Sequence, residues 1–72
     1  MARAIPFAAS SNIASIQYDD EEQTLTCTFH KGGVYTYSGV PPNVADGFSS
    51  APSAGGYLQQ FVKGVYAYEK VG

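Results

Sequence analysis

Charge is the scarcest ingredient of this 72-residue chain: charged side chains make up 14% of it, against about a quarter in ordinary globular domains. Its surface must then be built largely from Ser, Thr, Gln, Gly and Tyr, a composition that favours self-association into a homo-oligomer. The four cations, Arg3, Lys31, Lys63 and Lys70, are spread along the sequence. Tight duplex binding releases counterions from a cluster of such groups, which disfavours a phosphate-led nucleic-acid binder but leaves stacking on single strands open. Cysteine is nearly absent as well. Cys27 alone excludes an internal disulfide framework and makes a reducing compartment the simpler expectation. Apolar runs are only a few residues long, far short of the ~20 that span a bilayer, so no membrane partner is expected. Arg3 and the small residues after it, interrupted by Pro6, are too short for a secretion signal, and the expected localisation is cytoplasmic.

What is present points to one small folded domain. Hydrophobic residues are 44% of the chain, and a domain of this size hides only about 60% of its unfolded surface, so modest stability is expected. Residues 1–11 read as a loosely held lead-in, and residues 12–72 as the domain. From Asn12 the pattern alternates, with Ala14, Ile16 and Tyr18 on one face and Ile13, Ser15 and Gln17 on the other, as in a strand. The acidic run 19–22 is a turn. Residues 24–29 then alternate cleanly, with Leu25, Cys27 and Phe29 inward and three threonines outward. Lys31-Gly32-Gly33 form a hairpin turn, and residues 34–40 a third strand carrying Tyr35 and Tyr37.

The turn length decides which face those tyrosines occupy, because a one-residue slip reverses every side chain. A two- or four-residue loop pairs Phe29 with Val34 and turns both tyrosines to solvent. A three-residue loop, with Gly33 left-handed, pairs Phe29 with Tyr35 and Cys27 with Tyr37, gathering the large residues on one face; it is the favoured arrangement. Beyond it, Val40, Val44 and Phe48 recur every four residues on a short helix over 42–49, opened by proline and weakened by Gly47. Ser53 can cap a second helix over 54–63 that carries Leu58, Phe61 and Val62 on one side, with Gly64 closing it. Residues 65–71 alternate again, as a short strand or an extended tail. The fold class expected is α+β: a three-stranded antiparallel β-meander with two short helices on one face and a short extended C-terminal segment.

These residues resemble the KTSC domain. The likeness is carried by Ser10-Ser11-Asn12-Ile13, Ile16-Gln17-Tyr18-Asp19, Leu25-Thr26-Cys27-Thr28-Phe29 and Gly33-Val34-Tyr35-Thr36-Tyr37. Val40-Pro41-Pro42, Ala51-Pro52-Ser53-Ala54-Gly55-Gly56-Tyr57 and Tyr66-Ala67-Tyr68 extend it over nearly the whole chain. Leu58-Gln59 departs from the pattern, where Phe-Asn is expected, and Glu69-Lys70-Val71 is less basic than expected. The resemblance implies a stand-alone form of a module found as the C-terminal extension of some lysyl-tRNA synthetases and as small proteins of bacteria and their phages. It also implies RNA as a ligand.

Chemistry is sparse along the chain. Cys27 and His30 lie three apart on a strand and so point to opposite faces. No acid, base and nucleophile are spaced to meet, so no enzyme activity, catalytic residue, metal site or cofactor is expected. The acidic run lacks the glycine and ligand spacing of a calcium loop. Ser53, Gly55 and Gly56 open a helix, where backbone N–H groups attract anions or a nucleotide, although capping is the plainer role. The tyrosines say most, since their rings suit either a half-wet core or stacking on bases. For RNA, Tyr35, Tyr37, Tyr66 and Tyr68 would stack, while Lys31, Lys63 and Lys70 steer. The alternative is a protein-interaction module meeting a host or phage protein through the same rings. A third reading is nucleotide capture at residues 53–56.

Overall fold

The cleanest alternation in the sequence forms the middle strand of the sheet. In the computed structural model, which describes residues 2–72, β3 (Thr24–Phe29) buries Leu25 and Cys27 and lies between β2 (Ile13–Asp19) and β4 (Gly33–Tyr37). Two further strands extend this meander, β1 (Ala2–Ala4) beside β2 and β5 (Tyr68–Lys70) beside β4. The expected α+β class holds, but the sheet has five antiparallel strands in sequential order rather than three.

Strand β1 lies within the stretch read as a loose lead-in. Ala2-Arg3-Ala4 has no apolar alternation to announce a strand, and the segment is held from its flanks instead. Ile5 is buried and its N–H donates to the Ile16 carbonyl at 2.9 Å. The Arg3 guanidinium lies 2.9 Å from Asp20 and 3.0 Å from Asp46, over the Tyr18 ring. These ion pairs are exposed and add little stability, but they join the N-terminal strand, the acidic turn and the first helix.

A bulge corrects the expected faces of β2. Ile13 pairs with Phe29 and Ser15 with Thr28, leaving Ala14 without a cross-strand partner. The extra residue shifts the alternation by one. Ile13 and Ile16 are thereby both buried, and Ala14, expected inward, is exposed.

The β3–β4 register also differs from the expected one. Phe29 pairs with Gly33, Cys27 with Tyr35 and Leu25 with Tyr37, so the loop is His30-Lys31-Gly32. The slide is two residues, an even number, and both tyrosines stay on the face with Leu25 and Cys27. Gly33 has the expected left-handed conformation, at φ 94°. It is also confined by the chain end, because a Cβ there would stand 2.5 Å from the Gly72 carbonyl oxygen.

The helices cover one face. Helix α1 (Pro42–Asp46) runs into a 3-10 turn (Gly47–Ser49), and Val40, Ala45 and Phe48 are buried. Helix α2 (Ala54–Tyr57) is capped as expected, with the Ser53 hydroxyl accepting from the Gly56 N–H at 3.1 Å. It then widens into a π-helical segment (Leu58–Val62) that closes with Lys63 N–H donating to the Leu58 carbonyl at 2.7 Å. The wider turn explains a second departure. Leu58 and Val62 are buried, but Phe61 is 48% exposed, its ring resting on Tyr57. The other sheet face carries Gln17, Thr26, Thr36 and Glu69 in register, with the two threonine hydroxyls 3.2 Å apart.

Tyr18 ties the layers together. Its ring is fully buried, and its hydroxyl donates to the Val40 carbonyl just before α1. Burial, chiefly, raises its pKa above the ordinary tyrosine value. Tyr18→Phe keeps the ring and strands a buried acceptor, and is expected to cost about 1–3 kcal/mol. Urea denaturation monitored by circular dichroism measures it; an unchanged midpoint would show that the bond contributes nothing.

Candidate nucleic-acid interface

At the β4–β5 side the helices do not fully cover the inner face. Tyr37 pairs across strands with Tyr68, and Tyr35 is two residues away on the same face. The Tyr68 ring centroid lies 5.7 Å from that of Tyr35 and 5.8 Å from that of Tyr37. Phe29 meets Tyr35 edge-on at 5.7 Å. These rings and Leu58 line a groove of about 480 Å³, whose border includes the exposed side chains of Asn12, Gln59 and Lys63. Exposure rises steadily across it: Tyr37 is buried, Tyr35 is half-buried and Tyr68 is 62% exposed.

Strand register explains this gathering. Odd-numbered residues of β4 and even-numbered residues of β5 face inward, so the chain must return antiparallel with Tyr68 opposite Tyr37. The C-terminal backbone fixes that return, with Val71 N–H donating to the Val34 carbonyl at 2.8 Å and Ser38 N–H to the Ala67 carbonyl at 2.9 Å.

The other expected contact residues are distributed differently. Tyr66 is half-buried against the core and lies outside the groove lining. Lys31 sits in the turn beside Gly32, which lines the groove, and Lys70 lies cross-strand from Tyr35 with its side chain close to Gly33. Ser53, Gly55 and Gly56 border a second hollow of about 360 Å³, lined by no charged side chain. Gly55 also lines the tyrosine groove.

Charge is divided between the two ends of the sheet. The acidic turn joins β2 to β3 at the opposite end of the sheet from the Lys31 turn, where Asp19 accepts from the Glu21 and Glu22 N–H groups. The Glu22 contact, foremost, holds Asp19 below the usual carboxylate range, and Arg3 does the same for Asp20. Lys31 and Lys70 lie toward the other end, level with Gly32 and Tyr35 of the groove, and Lys63 lines the groove itself. Cys27 is buried and its thiol pKa is pushed up to about 12, so it is a packing residue rather than a nucleophile at neutral pH. Among the described residues no group of three His, Cys, Asp or Glu side chains could hold a metal ion. No helix among them is long and apolar enough to cross a membrane.

Sequence reasoning places Phe29 in the core and gives Asn12 and Gln59 no part in a site. Isolated amides carry no local signal of function. The clue at Gln59 was its place in the departure from the family pattern: Gln59 stands where Asn is expected, so the position keeps a carboxamide.

The KTSC domain family matches residues 9–68. The chain is 39% identical over 61 residues to a lysine–tRNA ligase of Nostoc punctiforme and 41% identical over 61 residues to that of Trichormus variabilis. Each match covers 85% of this chain but only 11% of the ligase, so the chain spans about a tenth of their length. An uncharacterized protein of Stutzerimonas stutzeri is 39% identical over 54 residues, covering 75% of this chain and 76% of that one. The crystal structure of a KTSC domain protein from Yersinia pestis superposes with a TM-score of 0.90 at 33% identity, covering 100% of both chains. With its five-stranded meander and helical cover, this chain belongs to the KTSC domain family.

Proposed function

We propose that this domain is a non-enzymatic module that binds single-stranded RNA, holding unpaired bases in the tyrosine groove. The observation that carries this reading is Tyr68, 62% exposed on a wall already made by Tyr35 and Tyr37. A base entering there stacks on Tyr68 and the accessible part of Tyr35, while Tyr37 serves as floor. The volume of about 480 Å³ lies within the ~300–1,000 Å³ of ordinary ligand clefts. Lys63 lines the groove and Lys31 and Lys70 lie level with Gly32 and Tyr35 of it, and the relatives that carry the same segment include enzymes named for tRNA.

Titration of a fluorescently labelled RNA octamer tests the proposal. Base–aromatic stacking is worth about 1–3 kcal/mol, so Tyr68→Ala is expected to weaken binding roughly 5- to 150-fold. A thermal melt of the variant checks the fold. With three lysines available, the slope of log K against log salt should be no steeper than about −2. Unchanged affinity in the folded variant would remove stacking as the mode of binding.

One observation favours the protein-interaction alternative: Phe61, Val65 and Val71 are also large apolar residues left exposed. A pull-down from bacterial lysate with and without nuclease separates the two, since a protein partner survives the treatment. Nucleotide capture at residues 53–56 has less behind it, because the Ser53 hydroxyl already accepts from its own helix.

A further inference from the structure

The two hollows share a border. Asn12, Gly55 and Gln59 line both, so the tyrosine groove passes over a saddle between two side-chain carboxamides into the second hollow. The chemistry changes at that saddle. Beyond it lie the hydroxyls of Ser10, Ser11 and Ser53, and no charged side chain.

The Ser10 hydroxyl accepts from the Asn12 and Ile13 N–H groups at 3.1 and 3.2 Å, and that of Ser53 from the Gly56 N–H. Each therefore keeps its own hydrogen to donate. Among the described residues neither the Asn12 nor the Gln59 carboxamide is hydrogen-bonded to another protein group, and both residues are exposed. A phosphate calls for a cation or for converging N–H groups. Sugar hydroxyls instead match neutral groups that both donate and accept.

We infer that the second hollow is a ribose subsite. It rests on the stacking reading: a nucleotide whose base lies in the tyrosine groove lays its sugar across the Asn12–Gln59 saddle. The 2′-hydroxyl then exchanges hydrogen bonds with the Gln59 carboxamide and the Ser11 hydroxyl. That group is what separates RNA from DNA at a given site. The arrangement makes the domain selective for RNA without any sequence requirement.

The test compares ribo- and deoxyribo-octamers of one sequence, with uracil in both, bound to the unaltered protein, the Ser11→Ala/Gln59→Ala double variant and Tyr68→Ala. Both altered polar residues are exposed, and thermal melts confirm that the double variant remains folded. One or two net hydrogen bonds to the 2′-hydroxyl predict RNA binding roughly tenfold tighter than DNA. The double variant should bring that ratio below about twofold by weakening RNA more than DNA. Equal binding of the two octamers by the unaltered protein, or a ratio that survives the double variant, overturns the ribose subsite. A Tyr68→Ala variant that binds both octamers as before overturns the stacking reading instead, and failure of the protein to bind either overturns both.

Discussion

Phe48→Ala is expected to lower the stability of the domain by a large fraction. Phe48 is fully buried, with its ring 4.5 Å from that of Tyr57, and sits where the first helical segment presses on the sheet. Truncating such a ring costs about 3–5 kcal/mol, combining lost transfer energy with the cavity left behind. A chain of this length has a total stability on the order of 4–11 kcal/mol, so one substitution removes much of it. No disulfide compensates. Thermal unfolding should fall by at least 12 °C, since each kcal/mol moves the midpoint of so small a domain by about 4–8 °C. Phe48→Leu, which keeps most of the volume, should cost less than about 1.5 kcal/mol. A cooperative transition within a few degrees of the unaltered protein in Phe48→Ala would show that the helices contribute little to the core.

Gly47→Ala is expected to destabilise, against the rule that alanine improves a helix. Gly47 has ordinary helical angles, φ −60° and ψ −23°, so propensity alone predicts a gain of about 0.8–1 kcal/mol. Space decides otherwise. A Cβ on Gly47 would overlap the phenolic end of Tyr57. That ring is fixed on three sides: it packs between Phe48 and Phe61, and its hydroxyl donates to the Val44 carbonyl at 2.7 Å. Overpacking costs about 1–3 kcal/mol and losing the hydrogen bond adds about 1 kcal/mol, so the net loss expected is about 1–3 kcal/mol. The decisive control is the same change in a Tyr57→Ala background. There the obstruction is gone, and alanine should be neutral or stabilising. If Gly47→Ala is as harmful in that background, the contact with Tyr57 is not the reason.

Both residues show how much of this fold could be read from sequence. Phe48 was legible, because Val40, Val44 and Phe48 recur at helical spacing; Gly47 was legible only as a weakness, because its neighbour is ten residues away. The same division runs through the sheet. Strand β3 carries its alternation within itself. The bulge at Ala14 depends on what Phe29 and Thr28 require across the ladder, and the register of β4 on where Gly72 returns. Strand β1 has no apolar pattern, since Ile5 and the Arg3 ion pairs hold it from outside. Phe61 was placed inward by a period that the π-helical segment breaks.

For the candidate site, tyrosine abundance pointed to rings that the structure brings together only in part. Tyr35, Tyr37, Tyr68 and Lys63 meet in one groove, whereas Tyr66 packs elsewhere although its sequence context matches that of Tyr68. Distance along the chain is the reason. Tyr68 reaches its neighbours only through the pairing of the last strand with β4, and Asn12 and Gln59 join them from segments that no local motif connects.

The opposed charges at the two ends of the sheet bear on the overall acidity of the chain. The six residues of β3 separate those ends by about 20 Å at ~3.3 Å per residue, more than twice the ~8 Å screening distance of physiological salt. Tyr37 and Tyr68, however, stand in one row with Leu25 and Tyr18, one residue from the acidic turn along the strands. What separates a strand lying on Tyr68 from residues 19–22 is therefore the width of the sheet, about 10 Å from β3 to β5 at ~4.8 Å per strand. The formal charge of −2 describes how the molecule migrates in a field, while the charges around the aromatic wall are of both signs, Lys63 lining it and Glu69 and Lys70 following Tyr68 in the last strand.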